Sequence, residues 1–173
     1  TPTLKLTKNE IKKEENKTKK EFTETKKEIT EIKKEIEQKK EEEIIDKIDS
    51  YLSKSSLKTF NPTHEEFLDF IETHWAMADD EKYNLHHSSF IIGRMMTEYV
   101  KMKDAKNLAR WIEMYDLHYK SAQHPNYFRN WYKGTKFFDA GNEEKALQYF
   151  QLSYDENQDH IFRSNCSYSQ FFN

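Results

Sequence analysis

Seven histidines and one cysteine are the side chains of this 173-residue sequence best able to hold a metal or attack an electrophile, and their spacing suits neither task. A helix that binds zinc from one face needs ligands three or four residues apart. His86 and His87 are adjacent, so on a helix they point about 100° apart. His74 stands among Ile71, Trp75 and Ala78, where a half-buried, hydrogen-bonded imidazole is expected. His64 falls at a helix start, His118 near a helix end, and His124 and His160 in turns. Cys166 is single, so it has no internal disulfide partner; it carries no signature of a catalytic thiol and reads as a small packing residue. The sequence contains no glycine-rich phosphate loop, no serine in a strand-to-helix elbow and no carboxylate pair in an apolar setting. These features point to a protein without catalysis, metal or cofactor. A hydrolase built on His86 or His87 is a competing reading that requires bound metal.

Charge is the remaining clue to a ligand. Residues 63–82 hold seven acidic residues and one lysine, 101–136 hold eight basic and three acidic residues, and 139–160 hold six acidic residues and one lysine. Lys101, Lys103, Lys106 and Arg110 come from one predicted loop and helix; Arg129, Lys133 and Lys136 come from the next helix. Arg129 and Lys133 are four apart and share a face. Two readings follow: acidic neighbours neutralise these faces within the fold, or a basic strip receives an acidic peptide or a C-terminal carboxylate. Tyr127, Phe128, Trp131, Tyr132, Phe137 and Phe138 fall within twelve residues, too many for one buried helix face. Either that helix is central and covered on both sides, or Tyr132 or Tyr127 lines a concave surface open to a partner. A net charge of −3 and a pI near 6.2 argue against binding nucleic-acid phosphates. No apolar run is long enough for membrane insertion.

The elements that must position these residues divide by composition. Of 25 aromatic residues only Phe22 lies within the first 50, where 14 lysines balance 14 acidic residues. The expected division is a charged N-terminal helix or weak coiled coil at 1–56 and a helical domain at 57–173. Leu4, Ile11, Thr18, Thr25 and Ile32 recur every seven residues, and Phe22, Ile29 and Ile36 form a second row. Lys8, Glu15, Lys39 and Glu43 interrupt the seam. Glu15 to Lys19 and Glu35 to Lys39 have favourable ion-pair spacing. Residues 22–52 are the expected site of any homo-oligomer. After Ile36 the pattern shifts to Ile44, Ile45, Ile48 and Leu52, as expected where the helix docks on its own domain.

Residues 53–62 read as a break. Thr63 and Glu66 have capping-box spacing. Ile45, Ile48, Tyr51 and Leu52 are expected to pack with a helix carrying Phe67, Ile71, Trp75 and Ala78. Asp79-Asp80 closes that helix, and another is expected over about 84–102 with Leu85, Ser89, Ile92, Met96 and Val100 on one face. Asp104 caps the following helix, which ends near Ser121. Residues 159–173 read as a short capping helix.

The clearest pattern lies in residues 128–154. Gly134, Phe137, Gly141, Ala146, Phe150 and Ser153 follow at intervals of three, four, five, four and three. Gly141-Asn142 supplies a left-handed turn between two helices. Gly134 and Ala146 fall where the helices approach closely, with Phe137 and Phe150 beside them. This hairpin resembles a tetratricopeptide repeat, whose thirty-four-residue unit has small residues at its eighth and twentieth positions and large ones at its eleventh and twenty-fourth. Gly93 and Met96, with Leu108, Ile112 and Tyr115, are read as an earlier, degenerate unit. The resemblance implies an all-α stack of hairpins, a short TPR-like α-solenoid, acting as an adaptor or scaffold for another protein or peptide. An immunity or regulatory protein that covers a toxin or enzyme is the alternative. The family's carboxylate clamp would fall on Phe128, Tyr132 and Ile91, so that clamp is absent. Cytoplasm is the default location. A removed leader and an exported, tethered form stay open, since the sequence starts at Thr1.

Overall fold

A computed structural model describes residues 8–55, 57, 59–119 and 125–157, with side chains in the first helix described from Lys12 onward. The described residues are helical, with no strand. The expected capping helix at 159–173, with Cys166 and His160, lies outside them, as do Ser121, His124, Leu4 and the Ile11 side chain.

The first helix, α1 (Lys8–Lys54), is a run of lysine and glutamate with no glycine or proline to interrupt it. The chain divides within it into two compact units, one ending at Glu42 and one beginning at Glu43. In the first unit every side chain from Lys12 to Lys40 is exposed. Among the described residues its ion pairs are Lys17–Glu21 at 3.9 Å and Lys20–Glu24 at 4.0 Å. The expected pairs had glutamate first, the order that favours a helix more.

The second unit starts inside α1 because Ile45 and Ile48 belong to its core, where they are 1% and 0% exposed. The helix itself ends at Lys54, just before the expected boundary at residue 56. Tyr51 stacks on Phe70 of α2 (His64–Met77) with ring centroids 3.8 Å apart. The capping box at the start of α2 is complete: the Thr63 hydroxyl accepts the Glu66 amide hydrogen, and the Glu66 carboxylate accepts the Thr63 amide hydrogen. Phe67, Ile71, Trp75 and Ala78 are all buried, as their spacing predicts.

Beyond α2 the local order departs from expectation. Asp80–Asn84 form a 3-10 turn, and α3 (Ser88–Lys101) starts later than residue 84. Lys82 explains the delay: its ammonium turns inward and donates to the Trp75 and Ala78 carbonyls at the end of α2. The Ser88 hydroxyl donates to the Lys82 carbonyl and holds the turn in place. The buried face of α3 is also rotated from the expected one. Ile91, Ile92, Met95, Met96 and Tyr99 are buried, whereas Ser89 and Val100 are only partly covered. A helix packed against both α4 (Ala105–His118) and α5 (Asn126–Asp139) needs a broader apolar stripe than one partner would demand.

α3 pairs with α4, and α5 pairs most extensively with α6 (Glu143–Glu156). The two pairs are built alike. All four helices have 14 residues, and each boundary of α5 and α6 falls 38 residues after its counterpart in α3 and α4. The α5–α6 turn closes with Asn142 donating to the Phe137 carbonyl and Gly141 to the Phe138 carbonyl, both at 2.8 Å. Gly141 has φ +82°, the left-handed conformation this turn requires. The α3–α4 turn uses the same bonds, Asp104 to the Tyr99 carbonyl and Lys103 to the Val100 carbonyl, with Lys103 at φ 55°. Asp104 and Asn142 then cap α4 and α6 through the amides of Asn107 and Lys145.

The 38-residue offset pairs other residues than the spacing of Gly93 and Met96 suggests. Met96 and Tyr99, not Gly93 and Met96, stand where Gly134 and Phe137 stand, and Lys103, Leu108, Ile112 and Tyr115 then reproduce the later spacing. Gly134 is a point of close approach: a Cβ there would sit 2.6 Å from the Phe150 ring. The neighbour is thus the aromatic ring, with Ala146 buried nearby in the core. A Cβ on Gly93 would meet nothing within 4 Å.

Candidate functional site

Gly93 needs another explanation, because a glycine inside a helix costs about 1 kcal/mol relative to alanine. It lies in a cleft of about 240 Å³ among α3, α4 and α5, lined by Ser89, Gly93, Met96, Tyr115, Tyr119, Phe128 and Tyr132. The missing side chain leaves open the floor of an aromatic surface. Tyr115 sits between Tyr119, at 4.6 Å, and Tyr132, at 5.2 Å between ring centroids. Burial pushes the Tyr132 phenol above its usual range, and Tyr119 adds to the shift. The Lys136 ammonium stands 5.0 Å from the Tyr132 ring. Burial lowers its pKa, with Asp139 opposing. Phe128 is 39% exposed at the rim. Such a surface offers ring faces, phenolic hydroxyls and a neighbouring cation, chemistry suited to binding.

The other residues read from the sequence as partner contacts separate into different places. Tyr127 is half-buried, and its carbonyl accepts the Ser153 hydroxyl at 2.7 Å, tying the start of α5 to α6. Arg129 and Lys133 do come together, in a polar cleft of about 640 Å³ that also contains Glu113, Asp116 and Glu156. Lys133 is 7% exposed, donates to both Asp116 carboxylate oxygens at 3.0 Å, and stands 4.8 Å from the Tyr149 ring. Arg129 donates to the Tyr119 carbonyl and the Asn126 side chain. Arg110 reaches Glu72 on α2. Lys101 and Arg94 both pair with Glu98. Much of the basic segment is therefore engaged by acidic or carbonyl oxygens within the fold.

Glu72 was not singled out by the sequence. One of its oxygens accepts from Arg110, from the Tyr99 hydroxyl at 2.6 Å and from the Trp111 indole at 2.8 Å. Burial alone would raise its pKa, but the donated hydrogen bonds and the Arg110 charge outweigh it and hold the carboxyl below its usual range. The donors lie 27 to 39 residues away, so no local spacing announces the cluster. No local spacing announces a second cleft either, of about 590 Å³, which Tyr51, Phe60, Phe70 and His74 line with Glu66 and Asp69.

Four of the imidazoles lie close to a partner within the fold. The His74 Nδ1 lies 2.7 Å from the Phe70 carbonyl, and the His118 Nδ1 lies 2.7 Å from the Tyr83 carbonyl. His64 Nε2 lies 3.1 Å from the Met102 sulfur, and His87 stands 3.4 Å from Asp49. Among the described residues no group of three or more histidine, cysteine or acidic side chains is arranged to hold a metal. No helix among them is long and apolar enough to cross a membrane. In comparisons with known proteins the chain matches no family model, no curated protein and no solved structure.

Proposed function

We propose that residues 43–157 are a non-catalytic protein-interaction domain of the tetratricopeptide type, an adaptor or scaffold whose groove runs over the α3–α5 surface. The charged helix that precedes it would serve association with another chain. The observation that carries this reading is the aromatic cleft floored by Gly93, a helical glycine with open space above it. The paired hairpins, with their matching turns and 38-residue offset, support a repeat architecture. Contact of α5 with both α3 and α4 fits stacking of one hairpin on the next. An extended or helical segment presenting an apolar side chain to Gly93 and a polar rim to Tyr132 and Lys136 is the kind of ligand that fits.

The test uses Gly93→Leu, which adds a side chain where a Cβ meets no atom within 4 Å. Peptides selected from a random display library against the wild-type protein should lose at least about tenfold in affinity for the variant, or about 1.4 kcal/mol. Thermal stability should be retained. Selected peptides that bind Gly93→Leu and Tyr132→Ala as tightly as wild type would overturn the assignment of this groove.

A further inference from the structure

The exposed seam of the N-terminal unit has a feature that its apolar positions alone do not reveal. Phe22, Ile29, Ile32 and Ile36 are 72%, 49%, 54% and 62% exposed, an apolar stripe covered by nothing within its own unit. The residue before Phe22, Ile29 and Ile36 is glutamate, and so is every seventh residue from Glu14 to Glu42. The residue after Thr18, Thr25 and Ile32 is lysine, and so is every seventh residue from Lys12 to Lys40. In heptad terms Phe22, Ile29 and Ile36 occupy a; Thr18, Thr25 and Ile32 occupy d. Each g position is Glu and each e position is Lys. These flanking positions face the partner in a coiled coil and set its identity and orientation.

We infer that the helix associates with other copies of the same chain as a parallel, in-register coiled coil centred on residues 18–36, between the seam interruptions at Glu15 and Lys39. In that arrangement each g residue meets the e residue of the following heptad on the neighbouring chain. Glu21 meets Lys26, Glu28 meets Lys33, and Glu35 meets Lys40. Antiparallel pairing would set lysine against lysine and glutamate against glutamate along both edges. A slip of one heptad would keep the charges matched but would put Glu15 beside Phe22, or Glu43 beside Ile36. Only the in-register arrangement matches all three apolar a layers.

Threonine at d is compatible with such burial. The Thr18 and Thr25 hydroxyls each donate to the carbonyl four residues earlier, of Glu14 and Glu21, at 2.9 Å. Their hydrogen bonds are satisfied on their own helix, so the methyl groups can pack without an unpaired hydroxyl. The ion pairs within the helix, such as Lys17–Glu21 at 3.9 Å, are exposed and weak competitors.

This inference rests on the proposed associating role of the helix and specifies its partner, direction and register. Sedimentation equilibrium on this chain should give at least twice 21.0 kDa. One variant, Lys19→Glu with Lys26→Glu and Lys33→Glu, makes both edges acidic. A second, Glu21→Lys with Glu28→Lys and Glu35→Lys, makes both edges basic. Each alone should sediment as a monomer, and an equimolar mixture should return to the multimeric mass. Circular dichroism should show that both retain the α2–α6 domain. Thr25→Cys combined with Cys166→Ser should form an interchain disulfide in a glutathione buffer. A monomeric wild type would overturn self-association and leave the helix to associate with a different chain. A multimeric wild type unaffected by the charge changes, or failure of Thr25→Cys to cross-link, would overturn the parallel register alone, leaving self-association in place.

Discussion

Gly93 and Gly134 both lie inside 14-residue helices, and the same substitution should stabilise at the first but not at the second. Replacing either with alanine gains about 0.5–1 kcal/mol from reduced backbone freedom in the unfolded chain and better helix propensity. At Gly93 nothing offsets this gain, because the added methyl meets no atom within 4 Å. At Gly134 the methyl falls 2.6 Å from two carbons of the Phe150 ring and 3.2 Å from a third. Phe150 is 0% exposed, so its ring has no solvent to move into. Overpacking of this kind costs about 1–3 kcal/mol. Gly93→Ala should therefore stabilise the protein, whereas Gly134→Ala should range from neutral to about 2.5 kcal/mol destabilising. The propensity contribution cancels in the difference between the two variants, leaving the steric cost of about 1–3 kcal/mol. Urea denaturation followed by circular dichroism measures it directly, provided the slope with denaturant is unchanged. Phe150→Leu, placed in the Gly134→Ala background, should cost less than in wild type, since it removes the obstructing ring. Equal stabilisation by alanine at both glycines would refute close packing of α5 on α6 at Gly134.

Three further substitutions test other parts of the domain. Glu72→Gln should cost about 1 kcal/mol at neutral pH, by weakening the bond from Arg110 while retaining acceptors for Tyr99 and Trp111. Because the folded-state pKa of Glu72 is lowered, its contribution is present above the unfolded value of about 4.3 and disappears as pH falls through the folded value. The stability gap between wild type and Glu72→Gln should accordingly close on acidification; a gap independent of pH would contradict the ion pair. Lys82→Met should lose about 1–3 kcal/mol, since the Trp75 and Ala78 carbonyls both lose the bond from the Lys82 ammonium, and a thermal melt should register this despite the residue's place in an acidic surface segment. Lys103→Gly should raise stability by about 1 kcal/mol, because Lys103 holds the left-handed φ of 55° that glycine adopts without strain. An unchanged or lowered unfolding midpoint would show that the lysine side chain contributes there.

Much of the helical framework is legible along the chain because its determinants are local. Thr63 and Glu66 announce the start of α2, Asp104 caps α4 and Gly141-Asn142 turns α5 into α6, each through bonds spanning only a few residues. The shift from Ile36 to Ile45 and Ile48 marks where α1 contributes to the second unit's core. Gly93 shows the limit of such local reading, because a Cβ there would meet nothing within 4 Å. Chain order records the small residue but not whether another helix stands above it. The basic segment shows the same limit: composition counts charges, while Glu72, Glu98 and Asp116 determine which of them are paired within the fold.

The sequence by itself determined an all-α chain, a charged helix with a seven-residue period and the position of most caps and turns, since these depend on propensities and bonds within a few residues. Tertiary structure alone decided that Lys82 and Lys133 turn inward, that Gly134 lies beneath Phe150, and that Gly93 opens a cleft lined by Tyr115 and Tyr132. Those outcomes depend on which distant side chain occupies the space opposite. That space exists only once the helices have packed.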